Sequence, residues 1–314
     1  MPEGAARRRG QGEGAPLSET RYVEVETKSA LNRVRGMPFD WSLNTALGCA
    51  HKCRYCYARA YHARYHERDV GTGFDSQVDV KINIVERLRA ELRRRPEGEL
   101  AIGTATDPYQ PIEGKYRLTR GCLEALVEYP MPTSIVTKGT LVVRDIDVLQ
   151  RLDRKADVTV YFSVPTLDAE VWRKAEPGTP PPWQRIRALR LLRDAGLDAA
   201  VLCAPVLPGL SDAEEQLDRV ARAASEAGAT AFRHRPLRID SEIRDYYFDF
   251  LALEFPVLVP KYAQLYRGGN HADREYERDL EQRVARVRSR YDFRERPPRR
   301  REPHPVTQQL ALAI

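Results

Sequence analysis

Six short apolar runs, each followed by an amphipathic stretch, organise the middle of the chain: 42–47 (SLNTAL), 99–104 (ELAIGT), 133–137 (TSIVT), 157–164 (DVTVYFSV), 198–206 (DAAVLCAPV) and 229–235 (ATAFRHR). Short runs rich in β-branched residues read as buried strands, and apolar residues three and four apart read as helices. The clearest helices are expected at 81–94, with Ile82, Val85, Leu88 and Leu92 on one face, and at 184–195, with Ile186, Leu189 and Leu192. Others are expected at 118–128, 144–152, 211–227 and 242–254. Ser211 and Asp212 offer a cap to the 211–227 helix, and Gly228 lies just past its end. Such alternation implies an α/β fold with a parallel sheet, because parallel neighbours need a long crossover. Six units are too few to close an eight-unit barrel and suit an open, partial (β/α)6 TIM-type barrel, with a doubly wound sheet as the alternative.

Beyond the sixth unit, Tyr276, Leu280, Val284, Val287 and Tyr291 recur at helical spacing, as expected of a terminal helix docked on the barrel. The expected organisation is a poorly ordered arm over 1–20, the barrel over 36–255, a C-terminal helical extension over 256–293 and a basic, Pro-rich tail over 294–314. The net charge of +6, from 51 Lys and Arg against 45 Asp and Glu, first suggests a nucleic-acid partner. Its distribution argues otherwise, since residues 1–16 and 294–302 together hold eight of the basic residues and only four of the acidic ones. Nucleic acid therefore stays open as a partner without support from charge. No apolar run approaches the roughly 18 residues of a membrane span, so no membrane partner is expected. The first residues lack the apolar core of a secretory signal, and a cytoplasmic protein is expected.

Three of the five cysteines, Cys49, Cys53 and Cys56, fall within eight residues. Cytosolic proteins seldom build disulfide frameworks, so the grouping points to a metal or cluster. Zinc would want a fourth ligand nearby, such as His51 or His62. An iron-sulfur cube held by three cysteines leaves one iron open, which is useful only when something else binds there. Cys122 and Cys203 lie in apolar stretches and read as core thiols.

The Cys-x3-Cys-x2-Cys spacing after a first strand that opens six βα units, with Tyr55 before the last cysteine, resembles the radical SAM superfamily. Tyr55-Cys56-Tyr57, the segment Gly103-Thr104-Ala105-Thr106-Asp107-Pro108-Tyr109-Gln110, the Thr137-Lys138-Gly139 turn and Pro205-Val206-Leu207-Pro208-Gly209 resemble its spore photoproduct lyase-related branch. Within that branch the Asp-Pro-Tyr-Gln segment is similar to an uncharacterised bacterial subgroup. The resemblance implies a partial barrel and an enzyme with one [4Fe-4S] cluster on the three cysteines. S-adenosylmethionine would bind the open iron and be cleaved reductively to a 5′-deoxyadenosyl radical that abstracts hydrogen from a substrate. Nucleic acid repair or modification follows by analogy alone. It also implies a flavodoxin or ferredoxin-type electron donor.

Carried onto this chain, the resemblance puts Thr106 and Asp107 near the methionine moiety, with Asp107 suited to its ammonium, Lys138 to its carboxylate and Ser163 to the ribose. Val206 and Leu207 would flank adenine, and Tyr55 and Tyr57 match tyrosines that take part in radical return. The lyases keep a hydrogen-donating cysteine on the second strand, where this chain has Thr104, a poor hydrogen-atom donor. Tyr109, Gln110 and Glu113, with His234, Arg235 and Arg238, would face the barrel mouth and meet substrate. The alternatives are a non-catalytic zinc module completed by His51 and a cluster protein serving electron transfer or sensing.

Overall fold

The computed structural model describes residues 20–66 and 68–297, so the expected arm and tail lie outside it except for Thr20 and 294–297. The strands run β1 (Arg21–Val25), β2 (Asn32–Arg33), β3 (Trp41–Leu43), β4 (Ala46–Leu47), β5 (Gln77–Lys81), β6 (Leu100–Ile102), β7 (Thr133–Thr137), β8 (Val158–Ser163), β9 (Asp198–Val206) and β10 (Phe232–Pro236). Seven form one sheet in the order β10-β9-β8-β7-β6-β3-β2. Every neighbouring pair is parallel except β2 with β3. The six parallel strands follow one another in chain order without reversal, which rules out a doubly wound sheet with its switch point. No pairing joins β3 to β10 among the described strands, so the sheet is an open arc, as expected of a partial barrel.

Crossover helices cover its outer face. Leu118–Glu128 begins and ends where its periodicity places it. Pro182–Asp194 buries Ile186, Leu189 and Leu192, and Glu214–Glu226 buries Leu217, Val220 and Ala224. These residues join Leu43, Ile102, Ile135, Val160 and Val201 in the main core. The terminal helix, Arg274–Arg288, adds Leu280, Val284 and Val287 to that core. Its Tyr276 hydroxyl bonds Asp212, and the Tyr291 hydroxyl just beyond it bonds Asp218, both at the Glu214–Glu226 side of the barrel. No helix among the described residues is long and apolar enough to cross a membrane.

Three local expectations need correction. The 42–47 run is not one strand: Asn44 turns its amide to Thr104 and Ala105, and the chain changes direction there. β3 stays in the large sheet, whereas β4 pairs antiparallel with β5, which also takes β1 in parallel. The 81–94 helix starts only at Ile84, because the preceding QVDVK is β5. Ser211 and Asp212 do not cap the next helix, whose first residue is Glu214. They close the Pro-Gly turn instead, Ser211 Oγ accepting from Leu207 N and Asp212 Oδ1 from Gly209 N. Gly228, with φ +80°, does end that helix in the left-handed conformation glycine tolerates.

A second core forms where Ser241–Glu254 and Val259–Leu265 pack under the cysteine loop. It holds Ile243, Tyr247, Leu251, Tyr262 and Tyr266 together with Cys53 and Tyr55. The chain after the barrel is therefore built into the floor of the site.

Candidate active site

All six strands of the arc point the same way, so the residues that follow them collect along one edge. Onto that edge folds the loop 48–57, which carries the three cysteines. Its first residue must be glycine: Gly48 has φ +89°, and a Cβ there would lie 2.5 Å from the Gln77 carbonyl oxygen. An irregular buried loop needs partners for its backbone groups, and here side chains supply them. Gln110 accepts from Ala50 N at 2.9 Å and donates to Gly48 O at 3.3 Å. Thr106 Oγ1 donates to Gly48 O at 2.6 Å, and Gly48 N donates to His62 Nε2 at 3.2 Å. Arg59, fully buried, donates to Cys53 O, Val70 O, Gly71 O and the Asp75 carboxylate while stacked between Phe74 and Tyr246. On the other side the segment 175–179 straps the loop, with Arg54 N bonded to Ala175 O at 2.9 Å and Gly178 N to His51 O at 3.1 Å.

Cys49 and Cys53 are buried and Cys56 is half-buried, all as free thiols. Burial, with the Asp107 charge adding to it, pushes the Cys49 thiol up to about 12. Burial also raises Cys53, against the pull of the nearby Lys138 ammonium. The thiols sense one another's charge, yet among the described residues no three Cys, His, Asp or Glu side chains converge as a single ion requires. Among the described residues no closed tetrahedral zinc site is therefore formed, and the three thiols remain available to an iron-sulfur cluster. The histidines expected to complete a zinc site face other groups, and each keeps a buried Nδ1 without a hydrogen bond. The ring of His51 lies 3.2 Å from Asp107, and His62 accepts from Gly48 N and packs edge-on to Phe74, with burial lowering its pKa to about 4.

Behind Cys53 lies a buried charge network. Glu176 accepts from the Tyr55 hydroxyl and from Arg185 at 2.6 Å, and the Lys138 ammonium stands 3.9 Å away. Arg185, also fully buried, donates further to Pro180 O, Ser163 O and Thr179 Oγ1. Burial alone would raise the Glu176 carboxyl, but Arg185 and Lys138 outweigh it and hold the group below its ordinary value. Burial likewise opposes charge on Lys138, and Cys53 and Glu176 reverse that, leaving it a firm cation.

The structure brings Thr106, Asp107, Lys138, Ser163, Tyr55 and Tyr57 together at this edge. Asp107, however, is committed within the chain: it accepts from Tyr109 N, Thr137 Oγ1 and Lys138 N, and the His51 ring closes its remaining side. Three of its roughly four acceptor sites thus tie β6 and β7 together beside the cysteine loop, and only what is left could meet the expected external ammonium. Ser163 Oγ donates to Ala204 O and retains its acceptor lone pairs. Tyr57 is exposed and its hydroxyl donates to Thr104 O.

Several expected contacts are not in the open. Val206 and Leu207 are 0% and 1% exposed and belong to the two cores, so neither has surface to offer an adenine. Tyr109 is 2% exposed in the main core, and Gln110 spends its amide on the cysteine loop. Glu113 accepts from Thr119 N and Arg120 N and so caps the Leu118–Glu128 helix. His234 pairs with Glu281 on the terminal helix, and Arg238 is bound to Asp240. Arg235 remains exposed at the end of β10. Sequence reasoning missed Arg59, Glu176 and Arg185. A buried charge reveals itself by its burial, and no spacing in the chain signals it.

Comparison with known proteins gives a consistent answer. Residues 43–221 match the Radical SAM superfamily. An uncharacterized protein of Mycobacterium tuberculosis is 41% identical over 287 residues, covering 88% of this chain and 84% of its own. A radical SAM Nα-GlyT isomerase of Pseudomonas phage M6 is 28% identical over 163 residues, covering 52% of this chain and 32% of its own. Among solved structures, spore photoproduct lyase complexed with dinucleoside spore photoproduct superposes with a TM-score of 0.65 at 18% identity, covering 86% of this chain and 79% of that one.

Proposed function

Since this chain belongs to the radical SAM superfamily, whose members are enzymes that use S-adenosylmethionine and an iron-sulfur cluster, we propose that Cys49, Cys53 and Cys56 hold one [4Fe-4S] cluster for radical chemistry on a nucleobase. The observation that carries the ligand assignment is the clamped loop, which buries Cys49 and Cys53, leaves Cys56 half-buried and sets them beside the Lys138 cation. When bound, the cluster and S-adenosylmethionine supply one-electron cleavage of the sulfonium and a 5′-deoxyadenosyl radical able to abstract hydrogen.

The chain's own residues hold and orient. Lys138 meets the methionyl carboxylate, and Ser163 accepts a hydrogen bond from the ribose. Thr106 and Gln110 act through the loop, keeping Gly48 and Ala50 in place, and Asp107 holds the Lys138 backbone. Tyr57 is the phenol placed for hydrogen-atom return, since its ring is exposed while Tyr55 is buried, although both hydroxyls are hydrogen-bonded, to Thr104 O and to Glu176. Arg235 is the exposed cation left at the sheet's edge for a substrate phosphate. The nucleobase reading is supported by the dinucleoside photoproduct held by the lyase that shares this fold. A flavodoxin or ferredoxin-type protein supplies the electron, and a reducing cytoplasm keeps all five cysteines as thiols.

Anaerobic reconstitution followed by iron and sulfide analysis tests the ligand set. Colourless protein with stoichiometric zinc would refute it. With the cluster in place, S-adenosylmethionine and dithionite should yield 5′-deoxyadenosine, and a Cys53→Ala variant that still produced it would overturn the ligand assignment. Substrate follows from label uptake in deuterated buffer with thymine-containing DNA, RNA and peptide compared side by side.

A further inference from the structure

The Glu176 carboxylate bonds side chains rather than the backbone of the cysteine loop. Its neighbours bond that backbone: Ala175 O and Gly178 N are bonded to Arg54 N and His51 O, so the strap is registered on the loop on both sides of residue 176. That registration turns the Glu176 side chain inward, where it is 2% exposed between two cations and a phenol. The two cations differ in freedom. Arg185 is held by Pro180 O, Ser163 O and Thr179 Oγ1 as well as by Glu176, and cannot shift. Lys138 rides on a flexible stem, 3.9 Å from Glu176 Oε1 and 5.7 Å from the centre of the Tyr55 ring. The first distance is longer than a hydrogen bond, so the ammonium is attracted to the carboxylate without donating a hydrogen bond to it.

We propose that Glu176 is a positioning residue that aims the Lys138 ammonium at the carboxylate of bound S-adenosylmethionine, with Arg185 and Tyr55 holding Glu176 in turn. This rests on the reading above that Lys138 meets that carboxylate. Arg185 occupies one oxygen of Glu176 and Tyr55 the other, and Lys138 stands 3.9 Å from the oxygen that Tyr55 already bonds. Without the negative charge, Lys138 and the immobile Arg185 face each other as like charges, and the mobile one withdraws. A buried ion pair adds little stability over a well-packed apolar pair, so its presence here is explained by what it orients.

The test measures S-adenosylmethionine affinity of the cluster-loaded protein by calorimetry without reductant, so that no turnover is involved. Glu176→Gln keeps the shape and removes the charge, and it should weaken binding about tenfold, the scale of one charge-assisted hydrogen bond. Lys138→Met should weaken binding at least as much, and the double variant should be no weaker than Lys138→Met alone. Wild-type affinity in Glu176→Gln, or losses that multiply in the double variant, would overturn the proposal. Should Glu176→Gln fail to hold its cluster, Glu176→Asp retains the charge and withdraws it by one methylene. It should show a smaller loss that also vanishes in the Lys138→Met background, and unaltered affinity in it counts against the proposal. Wild-type protein that loads its cluster and binds no S-adenosylmethionine would instead refute the functional reading itself.

Discussion

Replacing Gly178 with alanine should separate the strap from the cysteine loop. An added Cβ would sit 2.2 Å from the Ala50 carbonyl oxygen and 2.9 Å from the His51 carbonyl group, all of it backbone that has no rotamer to change. Restoring ordinary contact needs a shift of roughly 1 Å, which stretches the 3.1 Å bond from Gly178 N to His51 O beyond usefulness and strains the 2.9 Å bond from Arg54 N to Ala175 O. Two backbone bonds at about 1 kcal/mol each, plus the desolvation cost of a group left unpaired, give a loss of about 2–4 kcal/mol. For a domain of this size that lowers the unfolding midpoint by about 5–10 °C. Thermal unfolding read by circular dichroism, and iron bound after anaerobic reconstitution, should both fall in Gly178→Ala. Gly114→Ala is the control, because the only atom near its Cβ is Leu141 Cδ2 at 3.9 Å and the residue lies in the Glu113–Tyr116 helix. It should be neutral or slightly stabilising. A Gly178→Ala protein that unfolds with wild type and binds full iron would show that the strap does not set the loop's geometry.

Other outcomes follow from the same contacts. Gln110→Ala leaves the buried Ala50 N without its partner and should cost about 2–3 kcal/mol with reduced iron retention, whereas a mere substrate contact would alter neither. Asp107 is pushed up by burial but held below the usual carboxylate range by His51, the Lys138 amide and Thr137, so its stabilisation is present above the unfolded value near 4 and is lost as pH falls through its folded pKa. The stability gap between wild type and Asp107→Asn in urea titrations should therefore be full at neutral pH and shrink below about pH 4; a gap constant down to acid would contradict this. Leu207→Ala removes a 1% exposed core side chain and should lower stability by about 2–4 kcal/mol while leaving S-adenosylmethionine affinity unchanged. A selective loss of affinity at full stability would restore its expected place beside adenine.

The elements most legible in the sequence were those whose signal is local. Leu118–Glu128 and β7 came out where periodicity puts them, since each is defined by residues a turn or two apart. β5 was not foreseen, since Val78 and Val80 form only a short alternation just ahead of the Ile84–Leu92 helix, whose start the periodicity places three residues early. The 42–47 run hid a change of sheet that depends on Asn44 meeting Thr104 and Ala105, some sixty residues on. In the site the cysteines were plain from spacing. The polar residues after the strands were found too, and their partners were not.

The chain's sequence determined the alternation of strand and helix, hence a parallel sheet with one functional edge, and the three-cysteine loop opening onto it. Spacing suffices for these because period and motif are properties of neighbouring residues. Only the tertiary structure decided which polar groups face outward. Gln110 and Asp107 turned inward to satisfy a buried loop, Val206 and Leu207 sank into the cores, and Glu176 and Arg185 came together beside Cys53. Burial is set by what packs from elsewhere in the chain, and the cost of an unpaired buried polar group then selects its partner regardless of sequence distance.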